Sequence, residues 1–204
     1  HLSDINLVLT EHARRYLINE GLSQDRVIKT GSHMPEVLNF YREQINKSKI
    51  LKKMSLKKQG YFLVSLHREE NVDSEENITE FMNTLNEIYK QYKIPIIVST
   101  HPRTKNRLND LNLSLDKNIL FLKPFGFFDY VKLQVDALCV ISDSGTITEE
   151  SSILNFPAIT VRNSHERPEG MDEGVLIMSG LSKERVLNSI SVMLEDFKDK
   201  DFKI

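Results

Sequence analysis

With 204 residues the chain can form one large or two small domains and bury a substantial core, and its 40% hydrophobic and 27% charged content is that of a globular protein. Lys and Arg number 27 against 29 Asp and Glu, so the net charge is −2. That balance excludes nucleic-acid binding driven by bulk charge and leaves room for a local basic pocket.

Strands and helices alternate from the first residues. DINLVLT at 4–10 already has a strand pattern, and with no Met before it the chain reads as if cut from within a larger protein. INLVLT (5–10) leads into the helical EHARRYLINEG, which Gly21 stops. RVIKTG (26–31) is the next strand and MPEVLNFYREQINKSKIL (34–51) the next helix. The Lys-rich stretch 47–59 has no interleaved aromatics, so it reads as a solvated helix end or linker rather than a nucleic-acid patch. YFLVSL (61–66) is apolar throughout, and EENITEFMNTLNEIYKQY (75–92) is an amphipathic helix with Ile78, Phe81, Met82, Leu85 and Ile88 on one side. The strand IPIIVST (94–100), a helix near 103–111, the strand ILFL (119–122) and a helix about 127–136 come next. Then follow the strand ALCVIS (137–142), a helix from about 146, the strands PAITVR (157–162) and VLIM (175–178), and a helix from Ser182 to Phe197.

Cys139, the only cysteine, lies inside ALCVI. One thiol rules out a disulfide framework and a Cys-based zinc site and fits a reducing, cytoplasmic compartment. No cation adjoins it in sequence, so it reads as a buried structural group. No run approaches the ~18 apolar residues of a membrane span, and no signal-peptide pattern is present.

Apolar strands alternating with helices mean an α/β fold with a parallel, Rossmann-like sheet covered on both faces. Such sheets bind ligands at the carboxyl ends of their strands, and the polar exceptions gather there. Strand 61–66 runs into HREEN (67–71), strand 94–100 into HPR (101–103), strand 137–142 into SDSG, and strand 157–162 into RNSHERPEG (162–170). His67, Arg68, His101, Arg103, Arg162, His165 and Arg167 supply cations and donors, which suits an anionic ligand such as a diphosphate. Ser144 and Gly145 leave the first amides of the next helix, 145–147, uncovered, so ISDSGTITEESS (141–152) is either a plain helix cap or a phosphate seat. Glu149 and Glu150 complement the helix dipole in both cases, and Glu150 can bond a diol such as a ribose. Glu166 and Glu169 flank Arg167 and can orient it. His67, His101 and His165 are dispersed without an i, i+4 pair, which argues against a metal site. Neither a G-x-G-x-x-G fingerprint nor a G-K-[ST] loop occurs.

SLHREENVD (65–73), STHPR (99–103), SDSGTITEES (142–151) and RNSHERPEG (162–170), in this order and spacing, resemble the non-hydrolysing UDP-N-acetylglucosamine 2-epimerases over nearly the whole chain. The resemblance implies the two-domain glycosyltransferase-B architecture, with a UDP-sugar held between two Rossmann-like domains. Residues 1–36 would end the first domain, and 37–204 would form the C-terminal, UDP-binding one. Carried over by position, Ser144 and Gly145, with Thr146 beside them, match the diphosphate seat, and Glu150 matches the carboxylate that holds the ribose hydroxyls. Tyr130, in PFGFFDYVKL, takes the place of an aromatic residue beside the uracil. His67 matches a histidine implicated in catalysis, and Arg167 an arginine that supports the nucleotide. His101 falls in the His-Pro motif near the substrate, and Arg68, His165 and Glu166 belong to the same cleft.

Two departures stand out. Thr146 replaces the second glycine of the commoner Asp-Ser-Gly-Gly, and Ser164-His165 replace a Thr pair. HREENV, SDSGTITEESS and HERPEGM look more like the subgroup that makes UDP-N-acetyl-L-fucosamine for capsule and O-antigen synthesis; UDP-N-acetylmannosamine is the other product implied. The implied reaction is anti elimination of UDP to a 2-acetamidoglycal, then re-addition with the proton delivered to the opposite face of C2. No metal or nicotinamide cofactor is implied. The acid–base carboxylates of the family belong to its first domain, so this chain alone should be inactive. The complete enzyme is expected to be a homodimer acting on a UDP-sugar without nucleic acid or membrane. Two other classes stay in view: the second domain of a UDP-sugar-dependent glycosyltransferase, and a non-catalytic nucleotide-binding module. Against the first, no Glu at 141, 142, 157 or 158 completes a Glu-x7-Glu pattern with Glu149 or Glu150.

Overall fold

The computed structural model describes residues 2–66, 68, 74–100, 115–162 and 176–199. The chain divides into two compact units, His1–Arg42 and Glu43–Ile204.

In the first unit, β1 (Asn6–Val8) pairs in parallel with β2 (Val27–Lys29), and α1 (Glu11–Asn19) joins them. Thr10 caps α1 by accepting the Ala13 amide at 3.1 Å. Gly21, at φ 97°, makes the left-handed turn after the helix that a side chain would resist. Leu7 and Ile28 face each other in register and stay 65% and 46% exposed, while Val8 and Val27 are buried.

The single helix expected over 34–51 is instead three: α2 (Met34–Phe40), α3 (Arg42–Lys47) and α4 (Ile50–Lys53). Ser48 makes the second break. Its hydroxyl accepts the Ile50 amide at 3.2 Å and donates to Asp129 at 2.5 Å, bonds that compete with helix continuation. Lys52, Lys53, Lys57 and Lys58 are exposed, as a solvated helix end requires.

The body of the second unit is a six-stranded sheet in the order β5-β4-β3-β6-β7-β8. Its strands are β3 (Phe62–Leu66), β4 (Ile96–Thr100), β5 (Ile119–Leu122), β6 (Cys139–Ser142), β7 (Ala158–Thr160) and β8 (Leu176–Met178). Every pairing is parallel. This is the doubly wound Rossmann order, in which chain order reverses between β3 and β6.

Alternate residues of each strand feed two cores. Val64, Val98, Ile141 and Ile159 pack with α5 (Glu75–Tyr92) and α8 (Lys183–Asp199), while Leu63, Ile97, Val140 and Ala158 pack with α4, α6 (Phe127–Asp136) and α7 (Ile147–Leu154). The five apolar residues expected on one side of α5 are all 1% exposed or less, each worth roughly 1.5–3 kcal/mol of burial. Ser74 caps that helix through the Asn77 amide at 3.2 Å, and Lys93 ends it in the left-handed region at φ 55°. The helix expected near 103–111 lies outside the described residues. No helix among the described residues is long and apolar enough to cross a membrane.

Candidate functional site at the strand switch point

The carboxyl ends of β3 and β6, Leu66 and Ser142, flank the crevice where the strand order reverses. Ser99 of β4, Ser65 of β3 and Ser142 of β6 stand side by side there in register. Their predecessors Val98, Val64 and Ile141 belong to the core under α5 and α8, so the three serines turn to the α6–α7 side. A cavity of about 220 Å³ lies on that side. Ser65 and Ser99 form its floor, Phe125 and Tyr130 one wall, and Ser144, Thr146 and Glu150 the start of α7.

No side chain caps α7, whose N-cap is Thr146. The Ser144 amide donates to the Ser142 hydroxyl at 3.1 Å, and the Ser144 hydroxyl lies 2.9 Å from that of Thr146. Gly145 is not in the left-handed region, so its backbone conformation does not call for glycine. Of the three amides expected to be uncovered, that of Thr146 donates to the Ser144 hydroxyl at 3.4 Å. The helix presents its positive end to the cavity among the hydroxyls of Ser144 and Thr146, with the Glu150 carboxylate on its first turn, and the start itself suits an anion.

Asp143 clips the two strand exits together. It is completely buried, and its Oδ2 accepts the Arg68 amide at 2.8 Å. Arg68 Nε donates to the Asp143 carbonyl at 3.0 Å, and the Asp143 amide donates to the Ser65 carbonyl at 3.2 Å. Arg68 is thereby fixed beside the start of α7.

Across the cavity, Tyr130 and Gln134 project from one side of α6, a turn apart. Burial pushes the Tyr130 phenol up to about 12; a hydrogen bond with Ser65 opposes this, and the Glu150 and Asp143 charges add to it. The phenol is thus a neutral group at physiological pH. Gln134 Nε2 donates to Glu150 Oε2 at 2.5 Å.

Of the residues singled out in the sequence, the structure gathers Tyr130, Ser144, Thr146 and Glu150 around one cavity. Gly145 lies within the same turn, and Arg68 beside it. Arg162 is buried just past β7. His67, His101, Arg103, His165, Glu166, Arg167 and Glu169 lie outside the described residues. Sequence reasoning passed over Asp143, Gln134, Ser65 and Ser99. The serines were visible as polar residues one place before the end of apolar strands, and Gln134 as a polar residue on the apolar side of α6. Among the described residues no three His, Cys, Asp or Glu side chains gather as a metal-binding group. A larger groove of about 660 Å³ runs between α5 and α8, but Glu75, Glu76 and Glu80 line it and would repel a diphosphate.

A doubly wound parallel sheet with an open helix start at its switch point is a fold of the nucleotide-binding, Rossmann-like α/β class. Comparison with known proteins narrows the class. The profile of the UDP-N-acetylglucosamine 2-epimerase family matches residues 1–203, and the chain belongs to that family. The UDP-N-acetylglucosamine 2-epimerase of Methanocaldococcus jannaschii is 32% identical over 202 residues, which cover 95% of this chain and 55% of that protein. A crystal structure of that enzyme in complex with UDP-GlcNAc and UDP matches with a TM-score of 0.87, again over 95% of this chain and 55% of the other. The UDP-N-acetylglucosamine 2-epimerase of Rickettsia bellii matches with a TM-score of 0.89 and 54% identity over 96% of this chain and 52% of its own. The chain spans about half the length of the curated relatives it matches.

Proposed function

We propose that this chain is the C-terminal, UDP-binding part of a UDP-N-acetylhexosamine 2-epimerase that inverts C2 by elimination and re-addition of UDP. One observation carries this reading: an uncapped helix start and a carboxylate one turn further on share a single cavity at the switch point. The relative from M. jannaschii has been crystallised with UDP-GlcNAc and UDP. In our reading Ser144, Gly145 and Thr146 seat the diphosphate, Glu150 holds the ribose, Tyr130 lies beside the uracil, Arg167 supports the nucleotide, and Arg68 lines the substrate cleft. His67, His101, His165, Glu166 and Arg167 complete the cleft on the strength of their motifs.

The chemistry explains why the diphosphate seat matters. The C2 hydrogen of the sugar is only weakly acidic, so loss of the leaving group must do much of the activation. A base takes the C2 proton, the C1–O bond breaks with its electron pair going to UDP, and a C1–C2 double bond forms. Re-addition reverses these steps with the proton delivered to the other face of C2. The electrons stay paired throughout, so no oxidant or reductant is consumed. Preorganised amides and cations stabilise the charge developing on UDP, the kind of effect that usually dominates such catalysis.

Residues 1–36 are read as the end of a first Rossmann-like domain, and 37–204 as the second domain of a glycosyltransferase-B arrangement. A two-stranded sheet with Leu7 and Ile28 uncovered supports this, because so small a sheet is not stable by itself. The proton-transfer carboxylates are assigned to that first domain, and the complete enzyme to a cytoplasmic homodimer. Thr146, in place of a second glycine, favours the UDP-N-acetyl-L-fucosamine-forming subgroup and a role in capsule or O-antigen synthesis; the names of the relatives favour UDP-N-acetylglucosamine as substrate. The test is proton NMR of candidate UDP-sugars in deuterated buffer. The complete enzyme should exchange C2 hydrogen and release a glycal, and this chain alone should do neither. Sugar transfer to an acceptor without a glycal would instead make this the second domain of a glycosyltransferase.

A further inference from the structure

We propose that Gln134 is a positioning residue for Glu150, holding its carboxylate in the orientation that ribose recognition at this site requires. The inference rests on the reading of Glu150 as the ribose ligand. Gln134 is 1% exposed on α6, and its Nε2 donates to Glu150 Oε2 at 2.5 Å. Its own Oε1 is buried without a hydrogen-bond partner. A group chosen only for packing would not leave an amide oxygen stranded in the interior, where an apolar side chain of the same length would fit without that penalty. What the amide supplies is direction. A carboxylate on the first turn of α7 has several rotamers, and the donor on α6 selects the one that lines the cavity. The amide takes one acceptor site on Oε2, and the remaining sites of the oriented carboxylate, those of Oε1 above all, accept from the ligand's hydroxyls.

The test is calorimetric titration of UDP and 2′,3′-dideoxy-UDP into the chain and its Gln134→Met, Glu150→Ala and doubly substituted forms. Methionine matches glutamine in length and removes both amide atoms, so Gln134→Met should unfold at the same temperature or higher. It should weaken UDP by roughly 3- to 10-fold and leave dideoxy-UDP unchanged. Adding Gln134→Met to Glu150→Ala should produce no further loss. Equal weakening of both ligands by Gln134→Met, or a full further loss in the double variant, would overturn the positioning role while leaving the ribose assignment intact. Equal weakening of both ligands by Glu150→Ala would remove the ribose assignment and the positioning role with it. So would the absence of heat from the unaltered chain with UDP at millimolar concentration.

Discussion

Asp143 offers the sharpest test of how the site is held. Its carboxylate is fully buried at the exit of β6 and accepts the Arg68 amide at 2.8 Å from the exit of β3. Asp143→Ala deletes that charge-assisted bond and strands a backbone donor, a loss of about 1.5–3 kcal/mol. For a unit of this size each kcal/mol lowers the melting temperature by about 2–4 °C, so the expected drop is about 3–12 °C. Asp143→Asn keeps an oxygen acceptor of the same shape and should lose about half as much, because a neutral acceptor holds the amide less strongly. Thermal unfolding followed by circular dichroism measures both. The same variants should weaken UDP in the order Asn before Ala, since Arg68 Nε is anchored on the Asp143 carbonyl and the turn it belongs to. Two results would refute this account: melting temperatures for Asn and Ala that coincide, or an Ala variant within about 1 °C of the unaltered chain.

The sheet and its long helices were legible because their signals are local. α5 shows an N-cap Ser74, acidic residues in its first turn and apolar residues at helical spacing, and its bounds agree with those read from the sequence. The strands of the six-stranded sheet were legible as apolar runs because burial on both faces leaves little room for polar residues away from their carboxyl ends. The second break within 34–51 was not legible, because Ser48 finds Asp129 across 81 positions of sequence. The site divides in the same way. Ser144, Gly145 and Glu150 sit at a strand-to-helix junction whose chemistry is written in consecutive residues. The Gln134–Glu150 and Arg68–Asp143 bonds join residues 16 and 75 positions apart, so they exist only once the sheet has brought those residues together. The serine row likewise depends on strand register: Ser65 and Ser99 are each visible near the end of an apolar strand, but only the pairing sets them and Ser142 side by side.

Cys139 is fully buried, and that burial pushes its thiol up to about 12; it should resist maleimide in the folded chain and react only as denaturant unfolds it. Alkaline stability follows from the same burial. The unfolded chain loses the Cys139 and Tyr130 protons near their ordinary 9.0 and 10.0, whereas the folded chain keeps both to about 12. Stability is therefore full below pH 9 and falls from there towards pH 12, by up to about 1.4 kcal/mol per pH unit for each group. Urea midpoints across that range should flatten in Cys139→Ala and Tyr130→Phe, and unchanged slopes in both would count against the burial. The last prediction separates the parts of the proposed seat by ligand. Glu150→Ala should weaken UDP by about 1.5–3 kcal/mol, the worth of a charge-assisted bond, and leave inorganic pyrophosphate nearly unaffected. Ser144→Ala should weaken both ligands by a smaller amount, about 0.5–1.5 kcal/mol, because the backbone amides and helix dipole remain. Ser144 also touches Thr146 through its hydroxyl, at 2.9 Å, so each variant must first melt cooperatively. Calorimetric titration then decides. Equal loss of UDP and pyrophosphate in Glu150→Ala would remove the ribose assignment. If neither substitution changes either ligand, the turn from Ser142 to Ile147 serves only to start a helix.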